Sequence, residues 1–271
     1  MSQLEISSYS ASREAQVKLV DFFALLSRAT KRVLLLDYDG TLAPFTADRD
    51  HASPYPSAPR LLDSISTRTH TRVAIVTGRR ASDVTKLLGV KNMEVWGCHG
   101  LSRLHPDGRY ELPDLGEEAL RRISEVNDLL SREGLYDLLE FKPAATAVHW
   151  RGMEADANRL GRTVERVWSQ LSSHKGLQLL KFNGGMEIRV AARNKGDAVR
   201  TILAETGAGS ATAYLGDDLT DEDAFAALQG YGLGVLVREE YHSTLADVWI
   251  RPPEQLVSFL RDWIAACGSE G

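Results

Sequence analysis

Unbroken apolar runs alternate along this chain with stretches whose apolar residues recur every three or four positions. Residues 33–36, 72–77, 93–96, 211–215, 233–237 and 248–250 are apolar runs of strand length. Such runs suit strands buried on both faces, as in a parallel sheet. Residues 12–28, 60–68, a segment starting near Ser82-Asp83, 194–206 and 254–266 carry helical spacing. In the first helix Val17, Val20, Phe23 and Leu26 form the expected apolar stripe. Residues 1–12 are polar and read as loose, and residues 45–59, rich in Pro, Asp and Ser, read as a loop. Residues 103–112 have the pattern of a hairpin turning at Pro106-Asp107-Gly108.

The pattern changes in the middle of the chain. Residues 117–132 predict an amphipathic helix, 138–142 and 147–151 two short strands, and 154–173 a longer helix with Leu160, Val164, Val167 and Leu171 on one face. Residues 177–182 and 186–190 predict two more strands around Asn183-Gly184-Gly185, a hairpin signal. Two helices and an antiparallel sheet within a parallel pattern indicate an inserted domain. The expected architecture is α/β: a Rossmann-like parallel sheet core over 1–107 and 191–271, with an α+β cap inserted at 108–190.

Composition narrows the function. A hydrophobic content of 43% and a charged content of 25% fit a folded domain with a real core. The net charge of -5 argues against nucleic acid as a partner, while an anionic small molecule remains compatible with local cations. Two distant cysteines, Cys98 and Cys267, argue for a reducing compartment. No apolar run approaches the ~18 residues of a membrane span. The expectation is a cytoplasmic monomer with no membrane partner.

Chemistry gathers where strands should end. After Val33–Leu36 come Asp37-Tyr38-Asp39-Gly40-Thr41. Ligands in open α/β sheets bind at the carboxyl ends of strands. Two buried carboxylates one residue apart need a cation, and oxygen ligands favour Mg²⁺. Residues 72–76 lead into Thr77-Gly78-Arg79, where a hydroxyl and backbone N–H groups before a helix suit an anion. The strand at 93–96 closes on Gly97-Cys98-His99-Gly100, and Asn194-Lys195-Gly196 opens a helix with a lysine that opposes the helix dipole. After residues 211–215, Gly216-Asp217-Asp218-Leu219-Thr220-Asp221-Glu222-Asp223 place five acids in seven residues, which packing does not explain.

These segments resemble the four motifs of the haloacid dehalogenase superfamily. The resemblance implies that Asp37 is the nucleophile, Asp39 the general acid/base, Thr77 the phosphate-binding hydroxyl and Lys195 the balancing cation. It implies Mg²⁺ at Asp37, Asp39, Asp217 and Asp218, directly or through water, with Asp221 supporting them. The inserted domain matches the sheet-and-two-helix cap of one class of that superfamily.

A narrower resemblance covers nearly the whole chain after residue 30. The segments above, with Glu140-Phe141-Lys142, His149-Trp150-Arg151 and Gly185-Met186-Glu187-Ile188-Arg189, are similar to the trehalose-6-phosphate phosphatase family. Trp150 and Val190 depart from it, standing where Tyr and Pro are usual. The family implies hydrolysis of trehalose 6-phosphate through an aspartyl-phosphate. It implies substrate contacts from Arg79, His99, Glu140, Lys142, His149, Arg151 and Glu187. The alternatives are another sugar phosphate or glycosyl-phosphoglycerate as substrate, or a non-catalytic sugar-phosphate-binding domain.

Overall fold

Residues 12–46, 48–171, 176–182 and 184–268 are described in the computed structural model, and they divide into two units after Glu111 and after Ala192. In chain order the elements begin with α1 (Arg13–Arg28), β1 (Arg32–Leu36), α2 (Ala58–Arg68), β2 (Thr71–Val76), α3 (Ala81–Leu88), β3 (Glu94–Gly97), β4 (Ser102–Leu104) and β5 (Tyr110–Glu111). The insert follows as α4 (Gly116–Arg132), β6 (Leu139–Lys142), β7 (Ala145–His149), α5 (Ala157–Leu171), β8 (Leu177–Phe182) and β9 (Gly185–Val190). The chain closes with α6 (Lys195–Thr206), β10 (Ala211–Gly216), α7 (Glu222–Leu228), β11 (Leu233–Val237), β12 (Val248–Ile250) and α8 (Glu254–Cys267).

In the first unit the strands form one sheet in the order β12-β11-β10-β1-β2-β3-β4-β5. Strands β12 to β3 run parallel, and the β4–β5 hairpin adds antiparallel at the edge. Because β5 pairs with β4, the first unit extends past residue 107 to Glu111. Side chains alternate between two buried layers. Leu34, Leu36, Ile75, Leu215 and Val235 pack with Leu19 and Phe23 of α1, Leu62 of α2, Val84 of α3 and Phe259 and Trp263 of α8. Val33, Leu35, Val76 and Tyr214 pack instead with Val199 and Ile202 of α6 and Phe225 of α7. A leucine buried this way stabilises by about 1.5–3 kcal/mol, and truncating one to alanine costs roughly 2–5 kcal/mol.

Helix α1 corrects the expected stripe. Ser12 caps it by accepting from the Ala15 amide, and the buried face is Leu19, Phe22, Phe23 and Leu26. Val17 and Val20 stay 53% and 46% exposed. The two phenylalanines bring more apolar area than the valines, so the helix turns that side inward.

Strand β1 lies between β10 and β2, and the chain builds outward from it in both directions. This switch in strand order brings the carboxyl ends of β1, β2 and β10 together. Asp37, just past β1, donates its backbone N–H to the carbonyl of Leu215 in β10 at 2.8 Å.

The second unit is a four-stranded antiparallel sheet in the order β6-β7-β9-β8. Helices α4 and α5 cover one face, where Val126, Leu130, Leu160, Val164, Val167 and Leu171 meet Val148 and Ile188. Strand β7 starts two residues earlier than the alternation at 147–151 suggests, because Ala145 pairs with Arg189. Trp150 and Arg151 therefore lie in the following turn, with the Trp150 N–H on the Gly184 carbonyl. Residues 1–11 of the segment expected to be loose at 1–12, the end of the helix expected at 154–173 and the hairpin residue Asn183 lie outside the described residues. Among the described residues, no helix is long and apolar enough to cross a membrane.

Candidate active site

Four side chains from two strand ends and one helix start meet in the first unit. Asp37 follows β1, Asp217 and Asp221 follow β10, and Lys195 is the first residue of α6. Asn194 and Asp197 cap that helix reciprocally, each side chain accepting from the other's backbone N–H, and so fix the start from which Lys195 extends. Lys195 Nζ lies 2.8 Å from Asp37 Oδ2 and 2.8 Å from Asp221 Oδ1. Asp37 Oδ1 also accepts from the Tyr38 N–H at 2.7 Å.

Asp221 is saturated. Its Oδ1 accepts from Lys195 and from the Tyr214 hydroxyl at 2.5 Å, and its Oδ2 accepts from the N–H groups of Asp217 and Asp218. Asp217 is the opposite case: it is 1% exposed, and neither carboxylate oxygen has a hydrogen-bond partner. Gly40 makes room for it. That glycine has φ +80°, and a Cβ there would come within 2.2 Å of Asp217 Oδ2.

The electrostatics follow from burial. Burial pushes the Asp217 carboxyl well above the ordinary range, and the negative charges of Asp221, Asp37 and Asp218 push it further. Asp37 is also raised by burial, with Lys195 pulling the other way. Burial alone would lower the Lys195 ammonium's pKa, but Asp221 and Asp37 more than reverse this, so it stays charged. The carboxylate oxygens of Asp37, Asp217 and Asp221 lie within 4.8 Å of one another. Three carboxylates against the one ammonium of Lys195 leave two negative charges uncompensated. An all-oxygen donor set with that deficit, including a buried carboxylate without partners, fits a hard divalent cation.

Asp39 and Asp218 stand outside this trio. Arg79 forks onto Asp39, Nε to Oδ2 and Nη2 to Oδ1, both at 2.6 Å. Asp218 Oδ1 accepts from the N–H and hydroxyl of Thr220. Thr77 is buried past β2, and its Oγ1 accepts from the Arg79 N–H at 3.2 Å. Helix α3 begins only at Ala81, so Thr77 sits in the loop ahead of the helix and is not its cap. His99 packs its ring over Gly78, where a Cβ would approach to 2.7 Å.

The other five expected substrate contacts lie in the second unit. Glu140, Lys142 and Glu187 project from the sheet face opposite the helices, as strand alternation requires. Lys142 Nζ donates to Glu187 Oε2 at 2.5 Å and lies 3.6 Å from Glu140 Oε2. Strand β7 separates these residues, and its Ala145 and Ala147 leave space for the lysine to cross. His149 Nε2 is 2.9 Å from Glu140 Oε2. Arg151 lies in the turn after β7, beside Gly184.

Several neighbours have no site role in the sequence reading, although Arg189 lies in a segment that carries the family resemblance. Arg189 is two residues from Glu187 on β9, hence on the same face, which was a readable signal. Tyr214 is the one phenol in a fully buried strand and needs a partner there. Arg238 donates to the Asp217 carbonyl at 3.1 Å, and His242 Nε2 lies 3.3 Å from the same oxygen. Nothing local in the sequence marks those two.

Comparisons with known proteins agree on one family. A family model described as trehalose-phosphatase matches residues 35–244. A probable trehalose-phosphate phosphatase of Sinorhizobium fredii (strain NBRC 101917 / NGR234) is 32% identical over 221 residues, covering 80% of this chain and 82% of that protein. Among solved structures, the C-terminal domain of a C. albicans trehalose-6-phosphate phosphatase matches with a TM-score of 0.77 at 21% identity, over 96% of this chain and 99% of that one. A haloacid dehalogenase-like hydrolase from B. subtilis matches with a TM-score of 0.58 at 17% identity, over 85% and 99% of the two chains. These two structures show the shared fold.

Proposed function

The chain belongs to the trehalose-phosphatase family, and from that premise we propose that it hydrolyses trehalose 6-phosphate to trehalose and phosphate with Mg²⁺ bound beside Asp37. The observation that carries the reading is the Asp217 carboxylate, buried without partners next to the Asp37–Lys195 ion pair. Asp37 and Asp217 would hold the ion: their oxygens lie in the same cluster, within 4.8 Å, and those of Asp217 have no other partner, whereas Asp39 and Asp218 stand outside that cluster and Asp221 is saturated. When bound, the ion neutralises charge on the phosphoryl oxygens and on the attacking carboxylate.

The remaining chemistry belongs to the chain. An oxygen of Asp37 forms a bond to phosphorus as the sugar–oxygen bond to phosphorus breaks. Asp39 gives its proton to the departing sugar oxygen, releasing trehalose. Water then attacks phosphorus and passes a proton to Asp39, and the bond to Asp37 breaks to release phosphate. Asp37 and protonated Asp39 are both regenerated. Lys195 holds Asp37 by one oxygen and offsets its charge, and Thr77 contributes a hydroxyl to the phosphoryl group. We assign recognition of the sugar to the polar face of the second unit, where Glu140, Lys142, His149 and Glu187 present both donors and acceptors to hydroxyls.

Phosphate release should be measured with trehalose 6-phosphate, glucose 6-phosphate and mannosyl-3-phosphoglycerate, in Mg²⁺ and in chelator. The reading expects Mg²⁺-dependent turnover that is fastest on trehalose 6-phosphate. Preference for another ester would overturn the sugar assignment, and full activity in chelator would overturn the metal site.

A further inference from the structure

The fork between Arg79 and Asp39 goes beyond this reading. Its two parallel bonds fix the plane of the carboxylate as well as its distance. The fork is held in turn. The guanidinium lies 5.5 Å from the centroid of the Tyr38 ring, and the Tyr38 hydroxyl donates to the Ala52 carbonyl at 2.7 Å. The Arg79 carbonyl accepts from the Cys98 N–H, and the Thr77 carbonyl from the His99 N–H, both at 2.8 Å. Cys98 and His99 make those bonds from left-handed backbone, with φ of 52° and 57°. Non-glycine residues in that region cost about 1–3 kcal/mol each, and such strain concentrates where a site needs a fixed geometry. Here the two strained residues grip the loop that carries Arg79, which is itself 4% exposed.

We propose that Arg79 is a positioning residue for Asp39: it sets which way the carboxyl of Asp39 aims its proton. The argument rests on the reading of Asp39 as the acid/base given above. A guanidinium donates and cannot accept. Once Asp39 is protonated, its O–H must therefore point away from Arg79, while its other oxygen keeps one arm of the fork. That confines proton delivery to the plane of the carboxyl, on the sides of its two oxygens that face away from the guanidinium. Without the fork, the carboxyl rotates among several orientations and delivers from only some of them.

The test uses leaving groups. A sugar alkoxide must be protonated as it leaves, whereas 4-nitrophenolate leaves unprotonated. A positioned general acid supplies about 10²–10⁴-fold, so losing its orientation should cost about 30- to 100-fold in kcat/KM on trehalose 6-phosphate. Arg79→Gln should cost at least about tenfold less on 4-nitrophenyl phosphate, because that reaction makes little use of general acid catalysis. In an Asp39→Asn background, Arg79→Gln should add no more than about a twofold further loss, since the two act as a unit. Arg79→Lys keeps the charge without the fork and should show the same selective loss, which covers a failure of Arg79→Gln to fold. Equal losses on both esters, a rise confined to KM, or multiplicative losses in the double variant would overturn the proposal. Each would make Arg79 a phosphate contact or a structural residue. If the parent prefers a different alkyl phosphate, the sugar reading fails and that ester replaces trehalose 6-phosphate in the test. A parent inactive on every ester would overturn both.

Discussion

Replacing Asp217 with asparagine should make the metal-free protein more stable while destroying its response to Mg²⁺. At the 4.8 Å that bounds the Asp37–Asp217–Asp221 cluster, two unit charges repel by about 3.5 kcal/mol at an effective dielectric of ~20. Two such neighbours impose about 7 kcal/mol, and Lys195 offsets roughly half. Protonation caps what remains: a carboxyl with an ordinary pKa of 3.8 is held neutral at pH 7 for about 4.4 kcal/mol. Asparagine keeps the shape and removes the charge, though its buried amide still lacks partners and gives back about 1–2 kcal/mol. The net gain is about 1–3 kcal/mol, or a rise in Tm of roughly 2–5 °C. The sign of the pH dependence follows. The folded-state pKa of Asp217 lies above its unfolded value, so above pH 3.8 the folded chain binds more protons than the unfolded one. Metal-free parent should lose stability as pH rises through that window, and Asp217→Asn should lose less. Thermal unfolding in chelator, repeated along a Mg²⁺ titration, reads both effects. A variant less stable than the parent in chelator, yet still stabilised by Mg²⁺ to the same extent, would refute the reasoning.

Asp37→Asn should abolish phosphate release while unfolding as cooperatively as the parent, and turnover near the parent rate would remove Asp37 from its role. Lys195→Ala leaves Asp37 and Asp221 buried without their cation and should cost about 3–5 kcal/mol in urea unfolding, whereas a loss below about 1 kcal/mol would mean the carboxylates are already neutral. Glu187→Ala or Lys142→Ala should cost about 2–4 kcal/mol more on trehalose 6-phosphate than on 4-nitrophenyl phosphate, the order for breaking a buried charged pair. Equal losses on the two esters would place sugar recognition elsewhere.

Much of this is legible in the sequence because it is local. An apolar run ending in Asp37-Tyr38-Asp39-Gly40 states a buried strand, its end and its chemistry within a few residues. The same holds for Tyr214–Asp221 and for the alternation that puts Glu140 and Lys142 on one face. What the sequence hides is set by partners far along the chain. The start of β7 depends on pairing with β9, and the inward face of α1 depends on which side meets α8. The engagement of Asp39 by Arg79 depends on β1 and β2 being neighbours. The left-handed turn at Cys98-His99 has only a faint compositional mark: histidine is among the side chains enriched in that backbone region, but cysteine is not. Spacing assigns Asp39 and Asp218 to the metal as readily as Asp37 and Asp217, and does not foretell that Asp39 is engaged by Arg79 and Asp218 by Thr220.

The central claim is that Asp37 carries the phosphoryl group. Asp39→Asn has no carboxylate to take a proton from the attacking water, so the covalent form should accumulate when this variant is fed 4-nitrophenyl phosphate with Mg²⁺. Acid quenching, proteolysis and mass spectrometry should then find a phosphorylated peptide with the modification on Asp37. Phosphorylation of another residue, or nitrophenolate release with no phosphorylated peptide at any time point, would contradict the account.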